Sequence, residues 1–352
     1  MTNDRFIISE NISFTPSTLT IYDKFYRNEN YAGKTPSFAK VVNDTVGSPA
    51  AAEGESITPI CNKHNFEMSK QAQRNLRKKV TWLFHLARKK TVTTVKGKVL
   101  QNFKMNFATL KLPSEQIHSS DFITKNCLNQ LFIEINKKYA FTNYVWRLEY
   151  QKNGNLHYHF ATDVYIDFFF LQSTWNRILN KYGYVDLYTR KFSQMSLQQY
   201  ISATNKDGST DFDTLSKRYA KGCREKWAQP NSVDVKAVFG QNNIAYYISK
   251  YMSKKEDAGA VKKLPICEDN SANSRLWFCS RSLSKLDTVN DNRHAFDDDI
   301  FGILSRCEGV YKHIGEYATT LYFDMSKLIP DVKRLLNKYL FRYMEVQQYV
   351  PS

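Results

Sequence analysis

Two histidines and one glutamate, close together in the chain, have the residue types and the spacing of a metal site. His157 and His159 are two residues apart in a segment whose composition predicts a β-strand. Because alternate side chains of a strand point to the same face, both imidazoles share one face. Glu149 lies on the preceding predicted strand, joined to the second by a short turn. Imidazole and carboxylate groups bind divalent cations, so this stretch predicts a three-ligand metal site.

The length of that turn decides whether the glutamate belongs to the site. Asn-Gly usually indicates a two-residue turn, which here pairs Glu149 with Tyr158 and directs the carboxylate to the opposite face. A three-residue loop, 152–154, with a bulge at Gly154 pairs Glu149 with His157 instead. We predict the second register because it separates the apolar side chains of both strands from the polar ones. The polar face then carries Arg147, Glu149, Gln151, His157 and His159.

A second group of reactive side chains follows further along the chain. Tyr247, Lys250, Tyr251 and Lys254 are spaced i, i+3, i+4 and i+7, which places them on one stripe of a predicted helix. The lysines favour the phenolate and offer positive charge to a phosphate, as a tyrosine attacking a phosphodiester requires. Taken alone, the stripe is equally typical of a half-buried packing face with lysines reaching into solvent. Together with a divalent cation, it would suffice to cut a DNA strand.

The composition favours a polyanionic partner. The 352 residues carry a net charge of +16 and include 22 Tyr and 23 Phe, so single-stranded nucleic acid is the natural candidate. A basic protein that is simply soluble is the alternative. The scattered cysteines suit a reducing compartment, and the longest apolar run, around 168–171, is too short to span a bilayer. With no signal peptide recognisable at the N-terminus, we expect a cytoplasmic protein without a membrane partner.

Local patterns predict an α+β protein with a mainly antiparallel sheet and helices packed on it. A basic helix at 69–90 starts at Ser69; its lysines and arginines indicate either a solvated face or, less favoured, a DNA-contacting face. We divide the chain into an N-terminal extension (1–95), a central domain (96–260) and a C-terminal region (261–352). The other predicted elements are a strand at 104–112, helices at 121–138, 175–182 and 332–343, the hairpin at 144–161 and a strand at 184–189.

These motifs resemble those of the HUH endonucleases, specifically the rolling-circle replication initiators. The resemblance rests on Glu149 with His157-Tyr158-His159, followed by the doubled tyrosine motif. The segment 107–113 (FATLKLP) loosely resembles that family's first motif. The tyrosines follow the histidines, which is similar to replication initiators and related transposases and unlike relaxases. The doubled tyrosine is most similar to the initiators of microviruses and related plasmids.

The resemblance implies an RRM-like (ferredoxin-like) HUH core and a metal centre. Glu149, His157 and His159 would hold Mg²⁺ or Mn²⁺, and such a ligand set also permits zinc. DNA at a replication origin would be the substrate. We expect DNA contacts from the polar face of the hairpin and from the strand upstream of it, at Lys104, Lys111, Arg147 and Gln151.

The resemblance also assigns roles to the tyrosine stripe. Tyr247 or Tyr251 would attack the scissile phosphate, leaving a free 3′-hydroxyl and a 5′-phosphotyrosine, and the other would cut after one round. Lys250 and Lys254 would position or stabilise the phosphate. Tyr246 adjoins the first tyrosine, a departure from the family pattern that leaves the identity of the first nucleophile open.

Partners and alternatives follow from what the sequence lacks. It has no Gly-x-x-x-x-Gly-Lys-Ser/Thr phosphate loop, so unwinding would come from a host helicase, and synthesis from a host polymerase, in a bacterial cytoplasm. Two alternatives remain. One is a tyrosine transposase of the same superfamily. The other is a non-catalytic protein that binds single-stranded nucleic acid through an RRM-like sheet.

Overall fold

The computed structural model describes residues 6–27, 68–151, 153–205, 208–239, 275–292, 299–315 and 318–347. In chain order, the strands are β1 (Phe6–Thr15), β2 (Thr18–Arg27), β3 (Lys90–Thr93), β4 (Val99–Phe103), β5 (Met105–Lys111), β6 (Tyr144–Tyr150), β7 (Leu156–Thr162), β8 (Val233–Val238), β9 (Trp277–Cys279), β10 (Val289–Asn292), β11 (Tyr311–Ile314) and β12 (Ala318–Tyr322). The helices are α1 (Lys70–Leu86), α2 (Ser120–Ile123), α3 (Asn129–Tyr139), α4 (Phe168–Asn180), α5 (Tyr184–Ser193), α6 (Leu197–Thr204), α7 (Phe212–Arg224), α8 (Arg281–Ser284), α9 (Ile300–Ser305) and α10 (Pro330–Val346).

The chain divides into two compact units, and each is discontinuous in sequence. The first combines residues 1–63 with 288–341, and the second combines 64–287 with 342–352. The assignment of three consecutive functional segments stays a prediction. The predicted C-terminal helix is confirmed as α10. Among the described residues, no helix is both long enough and apolar enough to cross a membrane.

The first unit contains a five-stranded antiparallel sheet with strand order β10-β1-β2-β12-β11. Its centre is the long β1–β2 hairpin, whose turn is closed by a hydrogen bond of 2.6 Å between the hydroxyls of Thr15 and Thr18. Phe14 and Leu19 pair across the hairpin and are both fully buried. This unit therefore has apolar side chains of its own to bury.

The second unit is built on an antiparallel sheet with strand order β8-β5-β7-β6-β9. Helices α2, α3 and α4 pack on one face, and the apolar side chains between helices and sheet form one continuous core. The arrangement is α+β and is consistent with an HUH-type core, so the predicted fold class is confirmed. The predicted strand at 104–112 and the predicted helix at 121–138 correspond to β5 and to the α2–α3 segment.

Alternation along β6 and β7 gives this sheet two different faces. Leu148, Tyr158 and Phe160 point into the core, and each is at most 2% exposed. Their sequence neighbours, including Glu149 and His159, point to the opposite face. Since α2, α3 and α4 cover only the apolar face, the polar face is left for other contacts.

The helix–sheet core is fixed by polar contacts at its edges. Thr124 lies in the π turn, Thr124–Leu128, that joins α2 to α3, and its hydroxyl is 2.7 Å from the hydroxyl of Tyr158. The side chain of Asp167 caps α4 by accepting hydrogen bonds from the backbone amides of Phe169 and Phe170. These contacts satisfy polar groups that burial would otherwise leave unpaired.

Helix α1 is shorter than the sequence predicts. Ser69 does cap it, accepting a hydrogen bond from the amide of Ala72, but the helix ends at Leu86 and Lys90 already begins β3. The β-branched run that follows Lys90 favours a strand over continued helix. One of the basic residues of α1, Lys79, is buried, and its ammonium group donates to the backbone carbonyls of Ser284 and Leu286.

The predicted strand at 184–189 is wrong, because these residues begin helix α5. Tyr184, Tyr188 and Phe192 follow the i, i+4, i+8 spacing of a helix, and this spacing outweighs the β propensity of the segment. Tyr184 is fully buried in the main core. Tyr188 and Phe192 pack in a small separate cluster of aromatic side chains around Trp227.

Candidate metal centre

The hairpin has the three-residue loop that brings the glutamate onto the histidine face. Glu149 pairs with His157, and the last pair before the loop is closed by a hydrogen bond of 2.8 Å from the amide of Gln151 to the carbonyl of Asn155. Gly154 has φ of +88°, the left-handed conformation expected at the bulge. The predicted register is confirmed, and the two-residue turn does not form.

Three potential ligand atoms converge on one point of the polar face. Glu149 Oε2 is 3.1 Å from His157 Nε2 and 3.2 Å from His159 Nε2, and the two nitrogens are 2.8 Å apart. For ligands at about 2.1 Å from an octahedral ion, adjacent ligand atoms are roughly 3 Å apart. The three atoms therefore fit one triangular face of such an ion, and leave its other positions to water or substrate. Of the described residues, these three form the group able to hold a metal ion.

Neighbouring strands hold the two imidazoles with their Nε2 atoms toward this point. Thr109 on β5 pairs with His159, and its hydroxyl oxygen is 3.0 Å from His159 Nδ1. The side-chain amide of Gln151 is 3.0 Å from His157 Nδ1. If each Nδ1 carries the proton and donates it to its neighbour, Nε2 keeps the lone pair that a metal requires. Gln151 accepts such a bond through its oxygen once the amide is turned by half a rotation, a change that leaves its shape unchanged.

The carboxylate of Glu149 is divided between two partners. Its Oε1 accepts from Arg147 at 3.0 Å, and Oε2 faces the histidines. Burial raises the pKa of Glu149, but hydrogen bonds from His157 and His159 and the charge of Arg147 outweigh it, so that the pKa lies below its ordinary value. Burial lowers the pKa of His159. At neutral pH the site therefore offers a carboxylate and a neutral buried imidazole, the forms that bind metal.

The four residues predicted to contact DNA have different surroundings. Arg147 is buried and ion-paired to Glu149, and Gln151 contacts His157. Lys104 donates to the carbonyl of Phe84 at 2.8 Å, and its ammonium group lies 3.5 Å from the centre of the Phe84 ring. Lys111 is exposed and pairs with His157 across the β5–β7 ladder. Their DNA contacts stay predictions.

The predicted nucleophilic segment lies outside the residues that the structure describes. This applies to Tyr246, Tyr247, Lys250, Tyr251 and Lys254. The strands that flank this part of the chain, β8 and β9, are the two edge strands of the sheet that carries the metal ligands. Trp277 of β9 pairs with Arg147 next to the site.

Two site residues were not identified from the sequence. Thr109 contacts His159, and the ring of Phe107 stacks on His159 with centroids 5.5 Å apart. Both lie within the 107–113 segment, where alternation places Phe107, Thr109 and Lys111 on one face of β5. This face could have been assigned to the metal site if the pairing of β5 with β7 had been known. Strand order is not fixed by local sequence.

Comparison with known proteins is in accord with this geometry. Residues 105–256 match the model of a protein family described as replication-associated protein ORF2. No significant match was found among curated proteins, and none among solved structures. The matched region begins at β5, includes all three metal ligands and extends through the tyrosine motif. The match supports a rolling-circle replication initiator.

Proposed function

We propose that this protein nicks and rejoins single-stranded DNA at a replication origin, and thereby initiates and terminates rolling-circle replication. The observation that carries the proposal is the convergence of Glu149, His157 and His159 within a replication-associated family region. A domain of this family suggests replication initiation, and a three-ligand site on an open sheet face is suited to chemistry on a phosphate. Microvirus and plasmid initiators are the relatives that the doubled tyrosine motif favours.

The metal site is proposed to bind Mg²⁺ or Mn²⁺. Two imidazoles and one carboxylate suit Mn²⁺ and accept Mg²⁺, whose charge the carboxylate complements. When bound, the ion would supply Lewis-acid polarisation of a phosphate oxygen. The remaining contributions come from the chain, since Thr109 holds His159 and Arg147 holds the carboxylate of Glu149.

The bond changes are assigned to the tyrosine stripe. The phenolic oxygen of Tyr247 or Tyr251 attacks phosphorus and loses its proton, the phosphorus–O3′ bond breaks, and the 3′-oxygen leaves as a hydroxyl after gaining a proton. The phosphate then remains on the tyrosine as a 5′-phosphotyrosine. Joining is the reverse, with a 3′-hydroxyl attacking phosphorus and the phenol leaving. Lys250 and Lys254 would stabilise the charge on the phosphate, and the second tyrosine would act after one round.

Chain connectivity supports a tyrosine segment that reaches the metal ligands. The segment between β8 and β9 is attached to both edges of the site's sheet, and β9 starts beside Arg147. Lys111, exposed next to His157, is well placed to meet the backbone of a bound strand. Lys104, Arg147 and Gln151 complete the set of proposed DNA contacts. A host helicase and polymerase would follow, in the cytoplasm of a bacterium.

A covalent-adduct assay tests this function without knowledge of the origin. The protein is incubated with labelled single-stranded DNA of randomised sequence, and adducts that survive denaturing electrophoresis are collected and sequenced. We expect adducts with Mn²⁺ or Mg²⁺ and none with EDTA. The double variant Tyr247→Phe/Tyr251→Phe should form none, whereas the control Tyr246→Phe should form them normally.

Two outcomes would count against the proposal. Adducts that persist in the double variant would show that the nucleophile is assigned wrongly. DNA binding without any adduct, and unchanged by EDTA or by His157→Ala, would favour a non-catalytic protein that binds single strands through its sheet. Insertion-element ends among the selected sequences would point to transposition in place of replication.

A further inference from the structure

Strands β3 and β4 form a two-stranded antiparallel ribbon that belongs to neither of the larger sheets. Most of its side chains are exposed; Val92 and Leu100, which face each other, are half-buried. Its fully buried side chain is Phe103, at the base. Since a two-stranded hairpin is only marginally stable by itself, an exposed ribbon of this kind contributes little to the core of the protein. Its surface is therefore the feature to explain.

The ribbon lies in the most one-sidedly charged part of the chain. Between Met68 and Ser114 the sequence has twelve lysines and arginines and no aspartate or glutamate. Lys89 and Lys90 are exposed at the base of the ribbon, and Lys96 and Lys98 are exposed at its tip. Positive charge at both ends of a narrow projection is complementary to two rows of phosphates.

The tip is well defined. The amide of Thr94 donates to the carbonyl of Lys98 at 2.8 Å, and Gly97 has φ of +78°, so the loop is a three-residue turn with a left-handed glycine. The ammonium group of Lys96 lies 5.1 Å from the centre of the Phe169 ring on α4, which connects the tip to the rest of the unit. Val95, at the end of the loop, is 74% exposed.

We propose that this ribbon inserts into a groove of double-stranded DNA next to the nicking site. The inference rests on the proposed function, because it supplies the duplex contact of an enzyme whose metal centre acts on a single strand. Strands of four and five residues span roughly 15 Å at about 3.3 Å per residue. The major groove, about 12 Å wide, admits a two-stranded ribbon of this kind.

The side chains of the ribbon favour duplex DNA over a single strand. Thr93 and Val99 are directly paired and share one exposed face with Thr91. Hydroxyl and methyl groups suit base edges in a groove. Single-strand binding relies on aromatic rings on which bases stack, and the exposed side chains of the ribbon itself, residues 90–103, include none.

Salt-dependent binding tests the proposal with full-length protein. Fluorescence anisotropy is measured for a short mixed-sequence duplex and for one of its isolated strands, from about 50 to about 200 mM salt. The variant Lys89→Gln/Lys98→Gln removes two exposed cations of the ribbon. Because each lost phosphate contact reduces the slope of log K against log salt by about 0.9 for duplex DNA, we expect a reduction of about 1.8. Single-strand affinity and adduct yield on single strands should not change.

The control variant removes the same charge elsewhere. Lys125→Gln/Lys137→Gln alters two exposed lysines of the helical layer and should leave the duplex slope at its normal value. A second ribbon variant, Val95→Asp, should weaken duplex binding with an unchanged circular dichroism spectrum. The proposal is overturned if the ribbon and control variants behave alike, or if duplex and single-strand binding weaken equally. Adduct formation is scored separately, so failure of the nicking function and failure of the ribbon are distinguishable.

Discussion

The molecule contains two hairpins with the same kind of turn and very different surroundings. In the hairpin β6–β7 and in the ribbon β3–β4, a three-residue loop ends in a left-handed glycine, Gly154 and Gly97 respectively. The first hairpin lies in the middle of a five-stranded sheet, and Leu148 and Tyr158 on one of its faces are buried. The second is a sheet of its own, with most of its side chains in solvent.

The turn sets the register in both hairpins, but packing decides what each register can be used for. Buried apolar side chains hold the backbone of β6 and β7, so side chains on the opposite face keep distances of about 3 Å between ligand atoms. No comparable core supports the described ribbon, whose exposed cations suit the looser geometry of phosphate contacts. Substitutions on either side of this contrast should therefore have different consequences.

The largest effect is expected from loss of a metal ligand. His157→Ala removes one of three ligand atoms, and we expect adduct formation to fall by roughly 10³-fold or more, as loss of several kcal/mol of transition-state stabilisation requires. Thermal unfolding of the metal-free protein should be little changed, since this half-buried side chain contributes little packing. The exposed His313 is the matched control, and His313→Ala should retain full adduct yield in the same electrophoretic assay.

The opposite face of the same strand should govern stability. Phe160 is fully buried and packs against Phe132 and Phe141, so Phe160→Ala should cost about 3 to 5 kcal/mol of the free energy of unfolding. Chemical denaturation followed by circular dichroism measures this. The control Phe169→Ala alters a ring that is 47% exposed, and it should cost much less. Equal losses in the two variants would contradict the assignment of the faces.

A smaller effect is expected from the residue that orients His159. Thr109→Val keeps the shape of the side chain and removes the hydroxyl that is 3.0 Å from His159 Nδ1. Loss of such an outer contact typically lowers metal affinity by about 10- to 100-fold. A Mn²⁺ titration followed by electron paramagnetic resonance measures the affinity directly, and saturating metal should restore most of the adduct yield. Unchanged affinity, or loss of adducts that metal does not restore, would argue against a positioning role. Thr81→Val, on helix α1, is the control.

The sequence predicts the metal hairpin correctly because its information is local. Period-two alternation and the choice between two turns suffice to pair Glu149 with His157. The role of Thr109 depends on β5 pairing with β7, a contact across fifty residues of chain that no local pattern encodes. The helix at Tyr184 was predicted as a strand because its aromatic residues favour both structures and only packing distinguishes them. The ribbon β3–β4 was hidden for a similar reason, as its basic residues continue the charge pattern of α1.

The smallest effect tests the comparison itself, with one substitution in each hairpin. Alanine in the left-handed conformation costs about 1 to 2 kcal/mol, so Gly154→Ala and Gly97→Ala should introduce similar strain at φ of +88° and +78°. Relief of that strain in β6–β7 has to move the loop that joins Glu149 to His157, and Mn²⁺ affinity should fall by up to about tenfold. In the ribbon, a Cβ at Gly97 meets no atom within 4 Å, and the metal site should keep its full affinity. Because the two substitutions are chemically identical, a difference in Mn²⁺ affinity would arise from what each hairpin supports; equal affinities would mean that the turn is not what holds Glu149 in register.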